Sequence, residues 1–528
     1  MADKKLRVWL PLTVSLSIVV GMWLGYELRA RTSGERLFEV KGKTGIQELL
    51  ELIRNKYVDD VALDSLSDKT MGYILSQLDP HSVYLPPADV QASTEDLLGQ
   101  FSGVGIEFQM IKDTVHVMDV VKGGPSEKAG VLPGDILLKA NDTVQLSGKK
   151  ITTAEIRKTL RGEKGSKVKV QVLRDNQLKE IIIERGNVQV STVDVSMKLD
   201  SITGYIKLNK FGERTYEEFM QELEKLQQQG MKRLVLDLRG NGGGMMKEAV
   251  DIADEFLSGN KLIVYTEGRR SPRTEYRAKR DGLFEEGKLA VLMDESSASA
   301  SEVLAGALQD WDRAIVVGQP SFGKGLVQEQ FTLSDRSAVR LTVARYFTPL
   351  GRNIQQPYSD GKAAYQERHA KRRMSSLMQD STLQEAHNGK SFTTPAGKKL
   401  FGGGGIEPDK WVNGDTVKLS TTAMQVLRQD ILQTWSYRLY KKYGKKLQGA
   451  VSLNQLQEVL KLDGDDWKVF NELQIEQGLQ PVQMMASDQI YLVKRAALNI
   501  ARYIWKGQEY YKFILKDDVA LKSAVLSF

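Results

Sequence analysis

The chain has 528 residues, 41% hydrophobic and 27% charged, so it is too long for one ordinary domain and too apolar to be disordered or collagen-like. Its 74 Lys+Arg against 67 Asp+Glu leave a mild net charge of +7 with no dominating basic tract, so no nucleic-acid partner is expected. The absence of cysteine excludes disulfides, thiolate metal sites and cysteine nucleophiles. The four histidines, His81, His116, His369 and His387, are too scattered for a zinc motif, so no metal and no other cofactor is expected.

Lys4, Lys5 and Arg7 precede an uncharged run over residues 8–26. At 1.5 Å per residue it spans roughly 28 Å, close to the hydrocarbon thickness of a bilayer. A cleaved signal peptide is the alternative reading. The run is long for one, and no small-x-small site precedes Glu27, so residues 1–31 are expected to be a retained, single-pass membrane anchor. No second such run occurs, which places the remainder on the far side of the membrane.

Residues 32–96 read as helical. Ile46, Leu49, Leu50, Ile53 and Tyr57 form one apolar stripe that must pack on this chain or on a second copy. The prolines of LDPHSVYLPP at 78–87 break helix and open a connecting segment. Residues 97–187 change to short alternating strands with glycine and proline turns: GVGIEFQM, HVMDVV, DILLKAND, KVKVQVLR and LKEIIIE. Two short helices, at 126–130 and 153–162, complete a unit sized for peptide binding.

Residues 188–411 alternate strand and helix. Apolar runs such as LVLDL and LAVLMD suit strands buried on both faces of a helix-covered sheet. A polar, basic stretch at about 357–400 reads as a solvated insertion. Residues 412–528 read as a helical extension, with Trp435, Tyr437, Trp467 and Trp505 serving its packing. No internal repeat is found.

Four constellations carry chemistry. SSASASE at 296–302 follows a strand and enters a helix, where a hydroxyl can stand beside unsatisfied backbone N–H groups; an ordinary serine N-cap with Glu302 is the plain alternative. SFGKGLVQ at 321–328 holds Lys324 between two glycines. A serine without a histidine needs another base, and a buried lysine can serve if its pKa falls toward about 7–8. Gln328, four residues on, can orient that amine. LDLRGNGGG at 236–244 fits neither the dinucleotide nor the Walker pattern, and its exposed N–H groups suit an oxyanion or a plain turn. FSGVGIEF at 101–108, with GGPSEKAGVLPGD following, can hold a peptide carboxylate beside an edge strand.

Together, LDPHSVYL, GVGIEF, PSEKAGVLPGD, LDLRGNGGG, SASASE, SFGKGLVQ, YFTPLGRNIQ and GGIEPD occur in the order of the C-terminal processing peptidases, or tail-specific proteases, which this chain resembles over about 45–410. The resemblance implies a multidomain α/β protein: an N-terminal membrane helix, a PDZ domain, a serine-protease core related to the Clp-protease and crotonase folds, and a helical C-terminal extension. It implies Ser299 as nucleophile, Lys324 as general base and Gln328 as the residue positioning that lysine. An oxyanion hole is expected from Ala300 and Gly243, with Gly244 the alternative, and a PDZ carboxylate loop at Val104, Gly105 and Ile106. Substrates would be exported proteins with apolar C-terminal tails. The setting would be the bacterial inner membrane with the catalytic part in the periplasm, with a homo-oligomer and an adaptor or activating protein as further partners. A non-catalytic PDZ scaffold is disfavoured because both dyad residues are present. The PDZ is a candidate gate, and residues 525–528 a candidate occupant of its groove. The roughly 50 residues between the TPLGRNIQ and GGIEPD motifs depart from the family, where the two lie close together.

Overall fold

The computed structural model describes residues 15, 19–22, 45–111, 113–148, 151–378, 390–412, 419–427, 431–480, 484–505 and 507–528. Most of the expected membrane segment lies outside them. Among the described residues no helix is long and apolar enough to cross a membrane. The chain divides into two units, residues 1–73 and 74–528.

In the first unit the helix Gly45–Lys56 places Glu48 in its first turn and Arg54 and Lys56 in its last, complementing the helix dipole. None of its residues is buried. Ile46, Leu49 and Tyr57 of the apolar stripe are exposed.

The second unit begins its β-rich module with the strand Gln100–Gly103, paired antiparallel with Gly186–Gln189. Between them runs one sheet in the order Ile106–Ile111, Thr114–Val120, Ile136–Ala140, Lys167–Arg174 and Gln177–Glu184, with Val144–Gln145 on the third strand. The helices Pro125–Ala129 and Thr153–Leu160 flank it, the latter started by a Thr152–Glu155 capping box. Val115, Leu137, Ile156 and Val170 form its core.

The larger α/β domain holds a six-stranded sheet. Val193–Lys198 lies antiparallel to Thr203–Leu208, which is followed by the parallel strands Arg233–Asp237, Lys288–Met293, Ile315–Gly318 and Lys410–Trp411. Successive residues point to opposite faces. Ile206, Leu234, Leu236 and Val291 pack beneath the helices Thr215–Gln228, Met246–Asp254 and Ala300–Asp310. The strand Leu262–Glu267 joins a second, antiparallel sheet with Val83–Leu85, Thr274–Arg277, Leu326–Thr332 and Ala338–Phe347.

The opposite face of the six-stranded sheet, carrying Tyr205, Val235, Ala290, Leu292 and Val317, is covered by the end of the chain. Leu515, Leu521 and Ala524, from the helices Gly507–Leu515 and Val519–Leu526, pack on it with Val525 and Phe528. This corrects the expectation that residues 525–528 fill a PDZ groove: the Phe528 ring lies on the protease sheet, 5.4 Å from the Arg233 guanidinium. A Leu521→Ala substitution should therefore cost about 2–4 kcal/mol in chemical unfolding, because the hydrogen-bonded sheet beneath it collapses little into the vacated space. The helices between residues 421 and 504 form a separate cluster around Trp435, Phe470, Leu492 and Ile500, with Trp467 against it.

Candidate functional site

Three neighbouring parallel strands, Arg233–Asp237, Lys288–Met293 and Ile315–Gly318, end at one edge of the sheet, and the loops leaving them meet there. Ligand sites in such sheets form at these carboxyl ends. The loops are fastened to one another. The Asn241 carbonyl accepts Ala298 N–H at 3.0 Å and the Ser301 hydroxyl at 2.9 Å. The Ser297 hydroxyl donates to Leu238 O at 2.8 Å, and Ser297 O accepts Phe322 N–H at 2.9 Å.

Ser299 stands at the N-cap of the wholly buried helix Ala300–Asp310 with φ 54° and ψ −114°. A non-glycine residue held at that φ is strained, and such strain is retained where surrounding contacts over-determine it. Its N–H donates to Glu302 Oε2 at 2.7 Å. Ala300, the first helical residue, has its N–H outside the intrahelical ladder.

Glu302 is fully buried and holds the site together. Besides Ser299 N–H it accepts Lys324 N–H at 2.9 Å on the same oxygen, and Gly323 N–H at 2.7 Å and the Ser321 hydroxyl at 2.5 Å on the other. Burial pushes its carboxyl up to about 7 against these bonds. The Tyr346 hydroxyl lies within hydrogen-bonding reach of Ser299 O, at 3.1 Å, and of Lys324 O.

Lys324 Nζ donates to Gln328 Oε1 at 3.0 Å. Gln328 sits where the register of its strand shifts, a bulge that re-aims a side chain. Its Nε2 donates to the carbonyl of His81, which can only accept, so its oxygen must face the amine. His81 is placed by Asp79, whose carboxylate accepts the N–H groups of His81 and Ser82, both at 2.8 Å. Burial, and then the Arg340 charge, lower the Lys324 pKa from 10.5, opposed by Glu302 and Asp79.

Gly243, at φ 95°, presses on the serine loop: a Cβ there would lie 2.8 Å from Ser299 Cβ and 3.0 Å from Ala300 N. Its N–H donates to Asn241 Oδ1 at 2.9 Å. Gly243 thus lies against Ser299 and Ala300, while the backbones of Ser299 and Lys324 share the Glu302 carboxylate and Lys324 reaches Gln328. Val104, Gly105 and Ile106 lie in the β-rich module, where Val104 belongs to a different hydrophobic cluster and Ile106 packs against it. Gly105 there adopts φ 74°, and Ile106 opens the edge strand of that sheet.

Four contributors escape a reading of the sequence. Glu302 reads as half of a capping box, and its S-x-x-E spacing was the available signal. Asn241, Tyr346 and the carbonyl of His81 carry none, because their partners lie 60, 47 and 247 residues away. The stretch at 357–400, expected to be solvated, also differs. Its helix Gly361–Met378 buries Tyr365, because an amphipathic face lies against the loop carrying Lys324.

Residues 202–360 match the model of peptidase family S41, and residues 102–184 match that of a PDZ domain. A Staphylococcus haemolyticus protein named "Probable CtpA-like serine protease" is 32% identical over 347 residues, covering 65% of this chain and 68% of that protein. A Staphylococcus aureus protein of the same name is 31% identical over 346 residues, with the same coverage. Among solved structures, the photosystem II D1 C-terminal processing protease is 30% identical, covering 59% of this chain and 84% of its own, with a TM-score of 0.36. The chain belongs to peptidase family S41, as a PDZ-containing serine protease of the C-terminal processing kind.

Proposed function

We propose that the chain is a membrane-anchored endopeptidase that captures the free, apolar C-terminal tails of exported proteins on its PDZ domain and hydrolyses them with a Ser299–Lys324 dyad. The observation carrying the dyad is the single buried carboxylate of Glu302, one oxygen of which accepts the backbone N–H groups of both residues. Neutral Lys324 takes the Ser299 proton as Oγ attacks the scissile carbonyl, and returns it to the leaving amine as the C–N bond breaks. The resulting ester is hydrolysed by water that Lys324 deprotonates in turn. Gln328 holds one amine hydrogen through Oε1, which leaves the nitrogen lone pair for the serine proton.

The N–H groups of Ala300 and Gly243 are the proposed oxyanion donors. An oxyanion must displace Asn241 Oδ1 from Gly243, whereas Ala300 carries no such competitor at the helix start. The open edge of the strand Ile106–Ile111 suits addition of a tail as a further strand, its carboxylate at Val104–Ile106. Outward-pointing residues of that strand are held by the C-terminal helices. Arg502 pairs with Glu107, and the Tyr503 hydroxyl donates to Gln109 Oε1 at 3.0 Å. This brace supports the reading of the PDZ as a gate whose position substrate or a partner protein shifts. We further propose residues 1–31 as anchor, the catalytic part in the periplasm, and homo-oligomerisation.

The test compares the full chain with its Ser299→Ala variant on one unstructured substrate, free or amidated at its C-terminus. Cleavage by wild type alone, weakened by amidation, together with fluorophosphonate labelling that vanishes in Ser299→Ala, is expected. Cleavage surviving Ser299→Ala would overturn the dyad, and indifference to amidation would overturn tail capture. A chain lacking residues 102–184 that cleaves free tails at the wild-type rate would dismiss gating.

A further inference from the structure

The helix Gly361–Met378 falls within the stretch separating two family motifs, and one of its faces is committed to the site. Tyr365, His369 and Arg372 are spaced i, i+4 and i+7, so they share a face, while Gln366, Glu367, Ala370 and Lys371 are exposed opposite. The Tyr365 hydroxyl lies 3.2 Å from His81 Nε2, their rings edge to face at 5.5 Å. The His369 ring stacks on Phe322 with centroids 3.9 Å apart and planes 11° from parallel, and Tyr365 packs against it at 4.5 Å. Arg372 Nη2 reaches Gly404 O at 3.2 Å and Ser321 O at 3.4 Å.

These contacts fall on the two structures that hold Lys324. Phe322 leads into Gly323–Lys324. His81 supplies the carbonyl that turns the Gln328 amide toward the amine. We propose that this helix is a working part of the hydrolytic site, in which Tyr365 and His369 are positioning residues that keep Lys324 oriented and shielded from water through His81 and Phe322.

The charged and titratable groups around Lys324 are Glu302 from the serine helix, Asp79 and His81 from the 79–82 turn, and Arg340 from the neighbouring strand. Tyr346 of the same strand as Arg340 donates to Lys324 O, and the insertion helix adds Tyr365, His369 and Arg372, with Lys362 acting on His81 and Arg368 on His369. Burial lowers both His81 and His369 to about 4, so the rings facing the lysine loop are neutral above that pH and add no charge to repel a protonated amine. What they supply is shape and exclusion of water. The proposal rests on the dyad reading, and its test separates the two.

Tyr365→Phe, His369→Ala and His369→Phe in the full chain are compared with wild type in pH–rate profiles. Glu367→Ala and Lys371→Ala, on the exposed face, are the controls. Tyr365→Phe and His369→Ala should lose about 10- to 100-fold in kcat with KM little changed. Their alkaline-rising limb should move toward the ordinary lysine value of 10.5 as water reaches the amine. His369→Phe, which keeps the stack on Phe322, should restore both. An unmoved limb and unchanged kcat in Tyr365→Phe and His369→Ala would overturn the proposal and leave the dyad standing. Should His369→Ala not fold, Tyr365→Phe decides, since it removes one oxygen from a retained ring. Activity retained by Lys324→Ala would overturn the dyad instead.

Discussion

Lys324→Ala is expected to lower kcat/KM by about 10³-fold or more, since general-base assistance and activation of the nucleophile disappear together. Lys324→Arg should do no better, because a guanidinium cannot be deprotonated in a protein. On the proposed dyad the reactive form is the neutral amine, so activity should rise with pH through the Lys324 pKa. That pKa lies below 10.5 because burial penalises the charged form, and Arg340 repels it further. Arg340→Gln removes a positive neighbour, favours the protonated amine and should shift the limb to higher pH. At neutral pH the rate should fall accordingly.

The same residue makes a separate prediction for stability. A lysine whose folded pKa is depressed binds fewer protons folded than unfolded between that pKa and 10.5. Its contribution to stability therefore rises with pH across that window and is lowest below it. Lys324→Met, which fills the same space without charge, should be inactive yet unfold at a higher temperature than wild type at neutral pH. A limb unmoved in Arg340→Gln, or a Lys324→Met variant less stable than wild type, would sink the account of Lys324 as a base whose pKa burial lowers.

Sequence made the local features of this site visible and hid the ones built from distant chain. The Ser299 turn, the glycines around Lys324 and the 236–244 loop are short motifs whose backbone demands show in residue type. The apolar runs LVLDL and LAVLMD likewise announced central strands buried on both faces. Burial was less legible. Glu302 reads as a capping residue because its spacing is that of a capping box. Only the complete burial of the helix Ala300–Asp310 turns its carboxylate into the shared acceptor for the Ser299 turn and the 321–324 loop. The covering of the second sheet face by residues 515–528 was missed for a related reason. An apolar chain end looks like a tail to be bound until it is seen to bury the sheet face carrying Tyr205, Val235 and Leu292. Composition misled at Tyr365 and His369, where a basic, polar helix hides one committed face among charges that belong to the other.

Gly243→Ala should cost about 10²- to 10³-fold in kcat, the range seen when an oxyanion donor is lost. Two effects act together. Residue 243 holds φ 95°, where an L side chain is strained, and the new Cβ would lie 2.6 Å from Ala298 O and 2.8 Å from Ser299 Cβ. The nearest of these is rigid backbone fixed by Asn241, so relief must come from moving Ser299 itself, and displacements of that kind are costly to a reaction needing aligned atoms. Gly244→Ala meets Phe211 O at 2.1 Å and breaks the bridge between Phe211 and Gly244, so it should lose stability along with activity. Gly242→Ala places its Cβ in open space and should leave kcat/KM and the unfolding temperature close to wild type. Steady-state kinetics and thermal unfolding of the three variants decide the matter. Full activity in Gly243→Ala would remove this loop from the oxyanion site, whereas equal losses in Gly242→Ala and Gly243→Ala would show that flexibility of the loop matters rather than its fit against Ser299.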